Sequence, residues 1–275
     1  MKLRRQNVSI LIALAVLVCA GLCEASTLTV SVAKPSAEIE YALGRLETTL
    51  SARGISLHIS NESDADLSLK IEQHRGEEAD DGYALRKQGG SYAIAARNNR
   101  GAMYGILDID CQLRQGRTLE TLHEQAIEAH YPLRAIKFNL PWYSYRTGEH
   151  LALHTETCRD LAFWEAFLDM MVDNKFNVLS LWNMHPYMYM VRPTNFPKAS
   201  PFSEEEMSEW QAFWHGLFKM ARQRGIDTYV VNWNIFLPEK FSRHYGDGEA
   251  YEGARFIGDG VTSPAIEKYT REIVT

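Results

Sequence analysis

The stretch Phe167–Tyr187, FLDMMVDNKFNVLSLWNMHPY, decides the fold. Its first half continues an apolar stripe of Leu161, Trp164, Leu168 and Met171, whose three- and four-residue spacing predicts a helix opened by Thr157. Its second half, NVLSLWN from Asn177 to Asn183, reads as a buried strand. The flanks repeat the same grammar. Upstream, RAIKFNL (134–140) is a short apolar strand. Downstream, Ser203 and Glu206 have the spacing of a capping box, ahead of a helix carrying Met207, Trp210, Trp214, Leu217 and Ala221. Gly225 closes that helix, TYVVNWNIF (228–236) is a third strand, and Ser263–Pro264 opens another helix with proline at its first position. Strands alternating with helices of this size imply a parallel sheet with right-handed crossovers.

Before Pro132 the pattern is different. Leu28, Val30 and Val32 alternate as in a strand, and Ser36 caps a helix with Ile39, Leu43, Leu46 and Leu50 on one face, ended by Gly54. ISLHI and DLSLKIE are two more strands, and YALRK and YAIAA form a hairpin across Gly89–Gly90. The polar stretch His74–Gly82 is a loop, and ARNNRGA turns the chain into a helix from Ala102 to Gln115. Residues 26–131 thus read as a small α+β domain and 132–275 as an α/β domain.

Composition narrows the function classes. With 45% hydrophobic and 23% charged residues the chain has the balance of a globular protein. Its net charge of −6 and the lack of a Lys/Arg block beyond the N-terminus leave no footprint for nucleic acid. The basic start MKLRRQN, the apolar run Val8–Leu22 and the small residues Cys23 and Ala25 predict an export signal over residues 1–25, cleaved before Ser26. The run is too short for a comfortable span, so the mature protein is expected to be secreted or periplasmic with no stable membrane segment. Without residues 1–25, which carry Lys2, Arg4 and Arg5 against Glu24, the charge falls from −6 to −8. Cys111 and Cys158 remain, too few for a disulfide scaffold or a zinc cluster, and free thiols are the expected state. His123–Glu124 is followed by Ile127 where a zinc-binding HExxH needs its second His, so no metal or other cofactor is expected.

The segment DGYALRKQGGSYAIAARNNRGAMYGILDIDCQLR (81–114) resembles the accessory domain that precedes several glycosidase barrels, in particular those of family 20 hexosaminidases and family 67 α-glucuronidases. Tyr83, Leu85, Ile94, Ala96, Gly101, Tyr104, Gly105, Gln112 and Leu113 carry the resemblance, which implies a zincin-like shape. In the second half, RAIKFNLPWYSYR, FLDMMVDNKFNVLSLWNMHPY and MARQRGIDTYVVNWNIF are similar to the first three strands of the catalytic barrel in the same enzymes, with family 163-like glycosidases a further relative. A closed (β/α)8 TIM barrel takes about 250 residues. Residues 133–275 hold about three βα units and stop inside an amphipathic pattern, so an incomplete barrel and a longer parent glycoside hydrolase acting on complex glycans are expected.

Barrels carry their functional groups at the C-terminal strand ends. That rule nominates Asn139, Trp142 and Tyr143 after the first strand, Trp182, Asn183 and His185 after the second, and Asn232, Trp233 and Asn234 after the third. Aromatic faces beside amides or imidazoles suit sugars, which present apolar ring faces and hydroxyl rims. The same residues also suit plain filling of a barrel mouth, and both readings stand. The stripes through Trp164 and Trp214 read as core, Glu204–Glu206 as a solvated first turn, and Asp108 and Asp110 as surface charge. Arg146 and Arg192 are candidates to clamp a uronate carboxylate. Glycoside hydrolysis needs two carboxyls, or one with a substrate acetamido group. The three clusters offer none, so the catalytic residues are expected beyond Thr275 and the chain itself is expected to be inactive. A non-catalytic glycan-binding protein is the alternative, and a secreted scaffold module without a ligand is a third class.

Overall fold

The structure, a computed structural model, describes residues 26–32, 34–61, 65–71, 81–144, 146, 148–231, 237–245 and 264–274. The expected export segment and the third cluster, Asn232, Trp233 and Asn234, lie outside the described residues, as does most of the 74–82 loop. The chain divides into two compact units, one running up to Pro35 and then through Ala42–His74 and Gly82–Ile127, the other comprising Ser36–Tyr41, Arg75–Asp81 and Glu128–Thr275.

In the first unit, β1 (Thr27–Ser31), α1 (Ala37–Ser51), β2 (Ser56–Ser60), β3 (Leu67–Ile71), β4 (Tyr83–Gln88), β5 (Ser91–Ala96), α2 (Asn99–Arg114) and β6 (Gln125–Ile127) follow one another. Only the first turn of α1 counts with the second unit. The six strands form one mixed sheet in the order β2-β1-β3-β5-β4-β6, in which β4 runs antiparallel to β5 and β6. Gly89, at φ +64°, makes the β4–β5 turn that pairs Gln88 with Ser91. The α1 stripe is buried as its spacing requires. Ser36 contributes its carbonyl, which accepts from Glu40 N–H at 2.8 Å, while its hydroxyl has no partner among the described residues. Helix α2 begins three residues earlier than expected because the Asn98 side chain caps it, accepting from Gly101 N–H at 2.8 Å. A Cβ on Gly105 would stand 2.7 Å from Ile94 Cγ2, so this glycine lets α2 lie directly on the hairpin.

One expectation is overturned here. Asp110 is not surface charge: its side chain is 1% exposed, and it accepts from Thr49 Oγ1 at 2.5 Å and from Arg114 Nε at 3.0 Å, with Arg45 at 3.8 Å. A carboxylate so enclosed survives only with this many partners.

The second unit contains β7 (Ala135–Asn139), α3 (Glu149–Thr155), α4 (Leu161–Asp173), β8 (Val178–Trp182), α5 (Glu204–Gln223), β9 (Asp227–Val231), α6 (Glu239–Tyr245) and α7 (Pro264–Val274). Strands β7, β8 and β9 are parallel neighbours, with Phe138, Leu181 and Val230 in one register and Asn139, Trp182 and Val231 in the next. Period-two alternation gives the sheet two faces. Phe138 turns toward α4, its ring centroid 4.9–6.1 Å from those of Phe163, Trp164 and Phe167. Lys137, Ser180 and Tyr229 share the opposite face, where Tyr229 is 57% exposed. Helix α4 starts later than expected. Thr157–Arg159 forms a 3-10 turn, and the carboxylate of Asp160 caps the helix by accepting from Ala162 N–H at 2.8 Å. Helix α5 has the expected capping box: Glu206 N–H donates to Ser203 Oγ at 3.2 Å and Ser203 N–H to the Glu206 carboxylate at 2.8 Å. That hydrogen bond holds the Glu206 carboxyl below its ordinary pKa.

The N-terminal ends of β7 and β8 are tied by a buried polar knot. Arg134 reaches Asp81 at 2.6 Å and donates through Nε to Lys175 O at 2.6 Å, while Asn177 accepts from Arg134 N–H at 2.8 Å and donates to Asp81 at 3.2 Å and Pro132 O at 2.7 Å. With one end of the strands fixed in this way, the loops at the other end are carried on a rigid base.

Candidate functional site at the strand ends

The parallel register sets the C-terminal residues Asn139, Trp182 and Val231 side by side. Beyond them the chain must leave the sheet, and the side chains nominated above go to different places. Asn139 is exposed at the end of β7. Trp142 turns into an aromatic seam: its ring lies 4.8–6.2 Å from those of Tyr189, Trp210, Phe213 and Trp214, and its indole N–H donates to Thr155 O at 3.1 Å. At 5% exposure it packs the β7 loop onto α5 and offers no platform to a ligand.

Tyr143 follows a different course. Its backbone has φ +50°, a left-handed conformation that residues with a bulky side chain rarely hold. Its carbonyl accepts from Met184 N–H at 3.3 Å and its hydroxyl donates to Leu237 O at 3.5 Å, so the strained residue is clamped between the β8 loop and the residues ahead of α6. Tyr143 and Val231 pack on the buried pair Trp182 and Met184. The Trp182 indole is 3% exposed and has Lys137 Nζ 5.3 Å from its ring centre, so a cation faces the ring.

The next residues carry the chemistry. Asn183 is fully buried, yet neither its amide oxygen nor its amide nitrogen has a partner among the described residues. His185 is equally buried; its Nε2 lies 3.0 Å from the Tyr269 hydroxyl, and its Nδ1 has no partner among the described residues. Desolvation drives the imidazole pKa down to about 3, so this His is neutral at any ordinary pH. Tyr269 sits on α7 in a cluster with Phe196, Ala199, Phe241, Ile266 and Ile273. Burial, reinforced by nearby Tyr143 and Glu272, raises its phenol above the ordinary value. Tyr189 is raised in the same way, by burial and then by Tyr143. The strand ends therefore bring together Tyr143, Trp182, Asn183 and His185, send Trp142 into the core, and recruit Tyr269. No motif pointed to Tyr269, which lies 84 residues from His185.

Of the two arginines proposed as carboxylate clamps, Arg192 pairs with Glu204 at 3.3 Å and Arg146 is exposed. The two cysteines among the described residues are free thiols, Cys158 buried and Cys111 half-buried. Burial pushes the Cys158 thiol up to about 11, which leaves it protonated and unreactive. Buried amides and imidazoles without partners carry a standing penalty of about 1–3 kcal/mol each in a folded protein. Chemically, Asn183 offers two donors and an acceptor, and His185 one further uncharged group.

No protein-family model matches this sequence, and no curated protein matches it. Solved structures do. A glycoside hydrolase family 138 enzyme that targets pectin rhamnogalacturonan II matches with TM-score 0.75 and 21% identity over 90% of this chain, which spans 36% of that enzyme's length. A Flavobacterium johnsoniae chitobiase reaches TM-score 0.47 at 15% identity, covering 79% of this chain and 32% of its own, and a family 115 4-O-methyl-α-glucuronidase reaches 0.44 at 12%, covering 74% and 28%. The last two are partial likenesses. The first shows that this mixed α/β chain shares its fold with part of a glycoside hydrolase.

Proposed function

We propose that this chain is the substrate-binding part of an exported glycoside hydrolase acting on complex glycans, with a zincin-like accessory domain at 26–131 followed by the first βα units of a TIM barrel from residue 132. One observation carries the reading: Asn183 and His185 Nδ1 are buried without partners among the described residues, just past the C-terminal end of a central parallel strand. That is where α/β folds bind ligands, and unsatisfied polar groups there call for a ligand that supplies the missing hydrogen bonds. Sugar hydroxyls both donate and accept, and so match an amide beside a neutral imidazole. The fold shared with the rhamnogalacturonan-directed enzyme supports the same reading. In this proposal the protein arranges the sugar through uncharged contacts, and the acid that protonates the leaving group is supplied by residues other than these.

A second reading, a non-catalytic glycan-binding protein, is favoured by the absence of a carboxylate at the described ends of β7 and β8. Calorimetric titration of the purified protein with oligosaccharides containing galacturonate, N-acetylglucosamine or galactose, alongside an assay of the matching aryl glycosides, separates the two. Turnover supports the enzyme, and binding without turnover supports the binder. If none of the three classes binds, neither reading stands.

A further inference from the structure

We infer that Tyr269 is a positioning residue: its hydroxyl donates to His185 Nε2 and thereby holds the imidazole as the Nδ1–H tautomer, with that N–H free to donate to a bound ligand. The inference deepens the proposed sugar site and rests on that reading only for the identity of the ligand. Its geometry is independent of it. The Tyr269 hydroxyl is 3.0 Å from Nε2, and the two rings stand edge to face, with centroids 6.2 Å apart and planes at 88°. Tyr269 is itself 1% exposed and wedged among Phe196, Phe241 and Ile273, so its hydroxyl position is set by packing.

The direction of the hydrogen bond follows from relative strength, since either direction leaves one of the two donors unpaired among the described residues: a phenol O–H is a stronger donor than an imidazole N–H, and a bare imidazole nitrogen a stronger acceptor than a phenol oxygen. A neutral imidazole has one N–H and one bare nitrogen, and a phenol has one O–H. If Nε2–H donated to the phenol oxygen, the buried phenol O–H would need a second acceptor, and His185 is its one hydrogen-bond partner among the described residues. If the phenol donates to Nε2, the stronger donor meets the stronger acceptor and the imidazole proton is placed on Nδ1, which has no partner among the described residues. Burial keeps the ring from taking a second proton. The His185 edge left for a ligand is then a pure donor, which selects an acceptor such as a hydroxyl or ring oxygen.

Nitrogen-15 NMR of the protein labelled at histidine tests this without any ligand. His185 is identified among the nine histidines by its loss in a His185→Gln variant. The expected spectrum shows a protonated-type shift at Nδ1 and a bare-type shift at Nε2. In Tyr269→Phe, which removes only the hydroxyl, the two shifts should move toward an average of both tautomers. A wild-type spectrum with the proton on Nε2 overturns the inference, even if Tyr269→Phe fails to fold; so does an unchanged tautomer in a folded Tyr269→Phe. For whichever of the galacturonate, N-acetylglucosamine or galactose oligosaccharides binds, Tyr269→Phe should weaken affinity about tenfold, the scale of one well-placed neutral hydrogen bond. If none binds while the tautomer is as expected, the sugar-binding reading fails and the Tyr269–His185 assignment stands.

Discussion

Replacing Asn183 by Leu should make this protein more stable and less able to bind. The amide is fully buried and neither of its polar atoms is paired among the described residues, so on this geometry the native state carries its desolvation without compensation. Removing an orphaned buried polar group recovers about 1–3 kcal/mol, whereas leucine's extra bulk in a tight space takes back ~1 kcal/mol. The net gain is about 1–2 kcal/mol, which for a chain of this size corresponds to a rise in Tm of roughly 2–8 °C. Differential scanning calorimetry at neutral pH reads the shift, and calorimetric titration with the best-bound oligosaccharide reads the loss of affinity. Asn183→Asp serves as the opposite control, since a buried carboxylate with no partner should lower Tm by more than 5 °C or so. A drop of several degrees in Asn183→Leu would refute the reasoning, because it would mean that the amide makes hydrogen bonds that hold the fold together. A stability gain with binding intact would refute the site.

Other outcomes follow from the same structure. Asp81→Ala leaves the half-buried Arg134 guanidinium and the buried Asn177 amide without their shared acceptor and should cost ~3 kcal/mol, reduced somewhat because Arg134 retains partial solvent contact; thermal melts of single and double variants at positions 81 and 134 should be strongly non-additive. Trp142→Ala should lose about 3–5 kcal/mol of stability while the folded fraction keeps its affinity for oligosaccharides, since the indole serves the seam with α5; unchanged melting would sink that placement. His185 has a folded pKa of about 3 against 6.5 for the free group, so below pH 6.5 the unfolded chain takes up a proton that the folded chain refuses. Stability is therefore full above pH 6.5 and falls on acidification toward pH 3 by about 1.4 kcal/mol per pH unit from this group alone. Urea titrations between pH 7 and 4 should show a shallower loss for His185→Gln than for the wild type, and parallel slopes would contradict the burial argument.

The regular parts of the fold were open to reading because they are periodic. The stripe Trp164, Leu168, Met171 is buried on α4 as its spacing requires, and the Ser203–Glu206 pair caps α5 through interactions confined to four residues. What the sequence hid depends on distant partners. Asp110 looks like any helix-surface acid until Thr49, 61 residues earlier, donates to it. At the strand ends, Trp182 closes β8 itself and packs on Met184 beneath Lys137, whereas Trp142, in the loop beyond β7, enters a seam with α5. Loop direction separates them, and neither period nor propensity encodes it. The Nε2 partner of His185 arrives from α7, and no local spacing connects the two.

The Arg134 knot bears on where this protein can be cut for separate expression. The change of pattern at Tyr131–Pro132 invites a cloning boundary there, yet such a cut discards Asp81, the anion on which both Arg134 and Asn177 converge, and Tyr41, whose hydroxyl donates to Asp169 at 2.8 Å and whose ring lies 4.6 Å beneath Arg224. A product starting at residue 132 would hold Arg134 without its carboxylate, Asn177 without one of its acceptors and Arg224 without the ring beneath it, with Asp169 and Glu165 left to neutralise Arg224, at the foot of the sheet whose central strand carries Asn183 and His185 beyond its tip. Deletion libraries and fusion designs should therefore treat 36–41 and 75–81 as inseparable from 128–275, or replace Arg134 and Asn177 together by apolar residues before the break is made.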